Sequence, residues 1–177
     1  VYNNGSCILE AVESVRAQTL PDVELVIWDD GSTDEETLRV LEEINGPGIV
    51  KHRAANQGVI GARNSAVKVS SGGFLVCLDP DDLIEPTYLE KALITFMRYP
   101  RIDLVVPVTR VLGDEDGEKM WIPAPFNERN LSYNNAAPVA TAIRRRVWET
   151  VGGPSEHMAG GFEDWAFWRA AASHGFR

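Results

Sequence analysis

Residues 74–82 read FLVCLDPDD, a run of five apolar residues followed by three aspartates in four positions. The apolar run does not alternate with polar residues, which is typical of a strand covered on both faces, and such strands occur in parallel sheets. Parallel strands are joined by crossover helices, so this run predicts an α/β fold. Ligands of open α/β sheets bind beyond the carboxyl ends of the strands, which makes Asp79, Asp81 and Asp82 candidate ligand-binding residues.

Apolar periodicity on either side of this run predicts strands and helices in alternation. The predicted strands are 24–28, 49–52, 74–78 and 104–106; the predicted helices are 6–18, one opened by a Ser32–Glu35 capping box, 59–70 and one starting at Pro86. This alternation predicts a mostly parallel central sheet flanked by helices. Later elements are a hairpin with its turn at 113–117, a strand at 139–143 and helices at 145–151 and 163–173.

The chain has 177 residues, which predicts a single domain. It starts with Val1, and Arg177 follows a helix-and-glycine pattern that normally leads into another strand. We therefore expect the domain to be truncated at both ends.

The charge balance favours some partners over others. Seventeen basic and 26 acidic residues give a net charge of −9, which disfavours nucleic acid and anionic lipid as partners. An anionic ligand would need a local cation to offset that field.

Two cysteines form no disulfide framework, and no run is long enough to span a membrane. We expect a cytoplasmic protein, with peripheral association at the inner face of the membrane only through segments outside this chain.

A second acidic pair follows another predicted strand. Asp29 and Asp30 come directly after residues 24–28, so parallel strands would bring them to the same edge as Asp79 and Asp81. Mg²⁺ and Mn²⁺ prefer oxygen ligands, and Mg²⁺ often uses one or two carboxylates plus substrate phosphates. Taken alone, each cluster is more often a turn with aspartate caps than a binding site.

Two more charged positions lie at predicted helix starts. Arg63 could reach a nucleotide base or phosphate, although a solvated helix arginine is the commoner case. Glu163 and Asp164 follow a pair of glycines and precede Trp165. A helix dipole favours such acids without any function, yet a carboxylate there could also take a proton from a hydroxyl.

Read together and in order, these segments resemble the family 2 glycosyltransferases of the GT-A fold, over nearly the whole chain except about 107–135. The resemblance is carried by Val1-Tyr2-Asn3, Ser14-Val15, Gln18-Thr19, residues 24–27 and 29–34, Asn56-Gln57-Gly58, Ala62-Arg63-Asn64, residues 78–82, Pro86, Leu89-Glu90, Gly152-Gly153 and residues 162–165.

The resemblance implies a Rossmann-like nucleotide-diphospho-sugar transferase that inverts the anomeric carbon. Tyr2, Asp30, Arg63 and Asp79 would bind the nucleotide sugar, Asp81 would bind Mn²⁺ or Mg²⁺, and Asp164 would be the general base. A UDP-sugar is the expected donor, and a saccharide or lipid-linked acceptor the expected partner, in polysaccharide or glycoconjugate synthesis. Residues 1–106 would form the nucleotide-binding half and 107–177 the acceptor and catalytic half.

Three alternatives stay open from the residues alone. A sugar nucleotidyltransferase would need a Gly-rich phosphate loop after the first strand, and none is visible. An aspartyl phosphatase would want Thr or Val where this chain has Asp82. A non-catalytic nucleotide-sugar or glycan-binding domain would fit the fold, but Asp81 and Asp164 favour catalysis. Asp82 and Glu163 receive no role.

Overall fold

The computed structural model describes residues 1–113, 119–155 and 161–177. The helices are α1 Gly5–Arg16, α2 Glu35–Glu43, α3 Gly58–Val69, α4 Tyr88–Arg98, α5 Glu128–Leu131, α6 Arg145–Val151 and α7 Glu163–Ser173. The strands are β1 Leu25–Asp29, β2 Ile49–Arg53, β3 Phe74–Leu75, β4 Leu104–Val105, β5 Thr109–Val111, β6 Lys119–Trp121 and β7 Ala142–Arg144. The predicted alternation of strands and helices is confirmed.

The N-terminal layer is a parallel pair of strands covered by two helices. β1 and β2 pair in register from Leu25 opposite Ile49 to Asp29 opposite Arg53. Their apolar side chains and one face of each of α1 and α2 form a core of Ile8, Val12, Ile27, Val40, Leu41 and Ile44. Burial of this face fixes where β1 ends, and therefore where Asp29 and Asp30 lie.

The loop after β1 corrects the predicted capping box. The side chain that caps α2 is Asp34, which accepts a hydrogen bond from Thr37 N at 2.8 Å. Ser32 is instead fully buried and accepts a hydrogen bond from Asn3 N at 3.0 Å. Asn3 Oδ1 in turn accepts from the backbone amides of Thr33 and Asp34. The chain next to Tyr2 is thus attached to this loop.

The second sheet is smaller and differs from the prediction. β7 lies between β3 and β4 and is antiparallel to both. Of the predicted strand 74–78, only Phe74 and Leu75 pair. Phe74 is 40% exposed, so the prediction that this strand is covered on both faces is wrong at its first residue. Its ring stacks on Phe96, and the Arg144 guanidinium lies over both rings.

The sheet is also not continuous among the described residues, because β1 and β3 are not hydrogen-bonded to each other. On the edge of β1 opposite β2, Val1 donates to Trp28 O and accepts from Asp30 N, a parallel-strand pattern. A groove of about 870 Å³ lies between β1 and residues 75–78. An apolar pattern identifies strands, whereas the order in which they pair depends on contacts distant in sequence.

The C-terminal region packs against β7. Leu131, Ile143, Val147, Phe167, Trp168 and Ala171 form its buried core together with Val67 and Leu75. The predicted helices 145–151 and 163–173 are confirmed as α6 and α7. β5 and β6 form the predicted hairpin, while residues 114–118 of its turn lie outside the described residues.

Close contact between α1 and α2 gives a test of this arrangement. A Cβ on Gly5 would lie 2.6 Å from Thr37 N and 2.8 Å from Thr37 Cα. Backbone cannot yield cheaply, so we expect Gly5→Ala to lower the free energy of unfolding by about 1–3 kcal/mol, measured by urea denaturation. The control is Gly73→Ala, whose Cβ would meet nothing within 4 Å. Equal stability of the two variants would contradict the contact.

Candidate active site

All four of the predicted donor-binding residues line one groove. Tyr2, Asp30, Arg63 and Asp79 all border the groove between β1 and residues 75–78. They come from the N-terminal segment, the loop after β1, helix α3 and the segment after β3. Tyr2 is 49% exposed, whereas Asp30 is 3% exposed. The prediction that the ends of these two strands converge therefore agrees with the geometry, although the sheet between them is not continuous.

The two aspartates at the end of β1, Asp29 within the strand and Asp30 directly after it, have different surroundings. Asp29 is buried; one carboxylate oxygen accepts from Ser32 N at 2.9 Å, and the other pairs with Arg53 at 3.3 Å. Both oxygens are thus engaged in holding the loop. Asp30 uses one oxygen to accept from Gln57 N at 2.9 Å. Its second oxygen has no hydrogen-bond partner among the described residues and is available to a ligand.

Arg63 joins the groove to the helix that carries Asp164. Its Nη2 lies 2.6 Å from Asp79 Oδ1, and its Nη1 lies 2.9 Å from Glu163 Oε1. The Arg63 side chain is only 13% exposed. Burial opposes its charge, but the attraction of Asp79 and hydrogen bonds to both carboxylates raise its pKa above the ordinary arginine value. Arg63 is therefore not a solvated helix arginine.

The negative charge of the acidic run after β3 is only partly balanced by positive charge nearby. Asp81 is exposed and makes no hydrogen bond or ion pair within the described residues. Burial, followed by the nearby charges of Asp79 and Asp81, raises the pKa of Asp82. No group of three or more His, Cys, Asp or Glu side chains in the described ranges is arranged to hold a metal. The oxygen chemistry and the repulsion fit a divalent cation held by one carboxylate and by phosphate oxygens.

Asp164 is half-buried at the start of α7. Its Oδ2 accepts a hydrogen bond from Asn135 Nδ2 at 2.7 Å, and its Oδ1 accepts from the Trp165 amide at 2.7 Å. Asp164 borders a small cavity whose lining also includes Arg63, Cys77 and Trp168. Arg63 thus lines both the groove and this cavity, while Asp81 lines neither of them in the described part of the chain.

The sequence assigned no role to several residues that build the site. Asn135 contacts Asp164 from a Pro- and Asn-rich stretch with no periodic pattern. Glu163 was visible as a helix-start acid, but its partner Arg63 is 100 residues away.

Gln18 holds the segment after Asp82, because its amide donates to Glu85 O and accepts from Leu89 N. Its neighbour Thr19 hydrogen-bonds Glu90.

Sequence comparison identifies the family of this chain. Residues 1–166 match the profile described as glycosyl transferase family 2. The chain belongs to that family.

Three relatives illustrate the similarity. The chain is 34% identical to a chondroitin synthase of Pasteurella multocida over 162 residues, which cover 89% of this chain and 17% of that protein. The structure of S. aureus TarS in complex with UDP-GlcNAc superposes with a TM-score of 0.77 at 23% identity, covering 97% of this chain and 51% of the other. A Pyrobaculum calidifontis mannosyltransferase with GDP-Man and Mn²⁺ gives a TM-score of 0.73 at 20% identity over all of this chain and 51% of the other.

These comparisons confirm the predicted GT-A fold. The chain spans about a sixth of the curated relative and about half of the solved chains. In the described residues, no helix combines the length and the apolar character needed to cross a bilayer.

Both cysteines are free, and burial raises the pKa of the Cys77 thiol to about 11.

The pKa of Asp82, raised by partial burial and then by the charges of Asp79 and Asp81, gives a pH-dependent prediction. The raised pKa of Asp82 means that its charged form is disfavoured by folding, so stability is lost as the pH rises through that pKa. We expect Asp82→Asn to raise the melting temperature of the metal-free protein near pH 7. The difference should shrink as the pH falls toward about 4, and also when Mn²⁺ is added. Asp22→Asn, an exposed aspartate outside the run, is the control; identical shifts for both would contradict the repulsion.

Proposed function

We propose that this chain is the donor-binding and catalytic part of a glycosyltransferase, which moves a sugar from a nucleotide-diphosphate donor to an acceptor hydroxyl with inversion. One observation carries the proposal. The groove lined by Tyr2, Asp30 and Asp79 adjoins the cavity lined by Asp164, because the two share Arg63, Leu75 and Cys77, and Arg63 pairs with Asp79 at 2.6 Å. Donor-binding groups and a candidate base are therefore neighbours, as group transfer requires.

The donor would lie with its nucleotide against the groove. The free carboxylate oxygen of Asp30 can accept a hydrogen bond from a base N–H, and the exposed ring of Tyr2 offers a surface for stacking. Asp79 Oδ1 is held by Arg63, so Oδ2 can accept from a ribose hydroxyl. We assign a UDP-sugar as donor, supported by the similarity to TarS, which was solved with UDP-GlcNAc.

Asp81 would hold Mn²⁺ or Mg²⁺ together with the donor diphosphate. The residue is exposed and unpartnered among the described residues, which leaves its oxygens free for a cation. The metal would supply Lewis-acid stabilisation of the departing diphosphate. Support for a metal also comes from the mannosyltransferase structure, which contains Mn²⁺ with GDP-Man.

Asp164 would be the general base. Its Oδ2 is oriented by the Asn135 amide, and its Oδ1 by the Trp165 backbone amide. A carboxylate fixed in this way can take the proton of an acceptor hydroxyl as the oxygen attacks the anomeric carbon from the side opposite the diphosphate. One displacement of this kind inverts the configuration at that carbon.

The acceptor and the biosynthetic role are proposed as broad classes. We propose a saccharide or lipid-linked acceptor in polysaccharide or glycoconjugate synthesis, supported by the chondroitin synthase similarity. Residues 1–106 would form the nucleotide-binding half and residues 107–177 the acceptor and catalytic half of one domain, which would work in the cytoplasm.

The rival functions lack a supporting contact. A sugar nucleotidyltransferase or a glycan-binding domain without transfer would have no need for the Asp164 carboxylate to be hydrogen-bonded on both oxygens beside the groove. That arrangement favours a residue whose orientation matters for chemistry.

Metal dependence is tested by calorimetric titration of UDP in the presence of Mn²⁺ or EDTA. We expect EDTA to weaken binding at least tenfold, since the metal offsets the repulsion between the diphosphate and the acidic run. Asp81→Asn should weaken binding in Mn²⁺, because a ligand of the metal is lost, and should slightly strengthen binding in EDTA, because one repelling charge is removed. Equal affinity in Mn²⁺ and EDTA would remove the metal from the proposal.

The base is tested by Asp164→Asn. We expect transfer to fall by at least about a hundredfold while the affinity for UDP changes less than twofold, because only proton removal is lost. Asn135→Ala should lower transfer by a smaller factor, since it frees one oxygen of Asp164 without removing the base. The measurements are release of UDP during transfer and calorimetric UDP binding. Normal turnover by Asp164→Asn would eliminate Asp164 as the base.

A further inference from the structure

Helix α7 begins without a cap of its own. Its N-cap residue is Phe162, which has a φ of 65° in the left-handed region and makes no capping hydrogen bond with its side chain. Gly161 before it has a φ of 109°. Non-glycine residues rarely adopt such a φ unless surrounding contacts hold them there. The start of the helix that carries Asp164 therefore depends on contacts with the rest of the protein.

One of the polar contacts at this helix start is the ion pair between Glu163 and Arg63. The two side chains are 14% and 13% exposed, and their atoms lie 2.9 Å apart. Ion pairs removed from water in this way are held more firmly than surface pairs, because solvent competes less for either partner. The same guanidinium reaches Asp79 at 2.6 Å. Its planar fork can face two carboxylates at once, which a lysine ammonium cannot do in fixed geometry.

The next residue of α3 makes a second attachment. Asn64 Nδ2 donates to Pro154 O at 3.3 Å, and a Cβ on Gly153 would clash with Asn64 Oδ1. Two consecutive residues of α3 thus contact the chain on both sides of residues 156–160. The orientation of Asp164 relative to Asp79 is set through α3.

We propose that Glu163 is a positioning residue of the transfer reaction, which holds Arg63 against Asp79 and so orients the donor-side carboxylate. The inference rests on the function proposed above and assigns a task to an acid that the sequence left without one. Arg63 is the one basic side chain lining the groove and the adjoining cavity in the described residues. Among the described residues, Glu163 is the partner besides Asp79 that keeps the guanidinium in the plane that presents Asp79 to the donor. An acid that only complemented the helix dipole would not affect the groove.

A double-mutant cycle separates these roles. Calorimetry measures the affinity for UDP, and for GDP, in Mn²⁺ for the wild type, Glu163→Gln, Arg63→Lys and the double variant. Glu163→Gln is nearly isosteric, and Arg63→Lys keeps the charge, so both are expected to fold; far-UV circular dichroism and melting temperature check this. The control is Glu35→Gln, an exposed acid in the first turn of α2.

Positioning predicts that Glu163→Gln weakens nucleotide binding about three- to tenfold in the wild-type background. In the Arg63→Lys background, Glu163→Gln should weaken nucleotide binding less than twofold, because the guanidinium that Glu163 holds is already absent. The donor KM should rise with the dissociation constant, and Glu35→Gln should change neither. Equal effects of Glu163→Gln in both backgrounds, or no effect in either, would overturn the inference alone. Absence of UDP and GDP binding by the wild type would overturn the proposed function and this inference with it.

Discussion

One guanidinium joins the parts of this protein that face the candidate site. Arg63 contacts Asp79, 16 residues away in sequence, and Glu163, 100 residues away. A partly buried arginine is tolerated only when its charge is compensated, and two carboxylates from separate segments supply that compensation. Any arrangement that separated Asp79 from Glu163 would leave one of the three charges without a partner. The relative placement of the groove and α7 is constrained for that reason.

The net negative charge of the protein disfavours an anionic ligand at this groove. A net charge of −9 repels a diphosphate, yet the groove is lined by acidic residues and Arg63 is already engaged by two of them. The proposed cation would admit an anionic donor, and Asp81, which is exposed and makes no ion pair among the described residues, would be free to hold it. In the protein alone, partial burial, followed by repulsion from Asp79 and Asp81, raises the pKa of Asp82.

Adjacent acidic residues that look alike in the sequence make different contacts in the structure. Asp29 has both oxygens occupied by Ser32 and Arg53, so it holds the loop. Asp30, one residue later, keeps one oxygen free at the groove. At the other site, Glu163 faces Arg63 while Asp164 faces Asn135. In each pair, backbone geometry sends successive side chains in different directions, and burial then decides which one a ligand can reach.

The sequence by itself determined the element types, since apolar periodicity follows from burying one face of each helix and strand. It also placed Asp30 and Asp79 at strand ends, and its ordered motifs placed the chain in its family. Tertiary structure alone decided that β7 runs antiparallel between β3 and β4, that Phe74 stays partly exposed, and that Asp34 rather than Ser32 caps α2. It alone brought Asn135 to Asp164 and Glu163 to Arg63. These outcomes depend on contacts between segments far apart in the chain, and a periodic pattern records only whether a side chain is buried, not which side chain it meets.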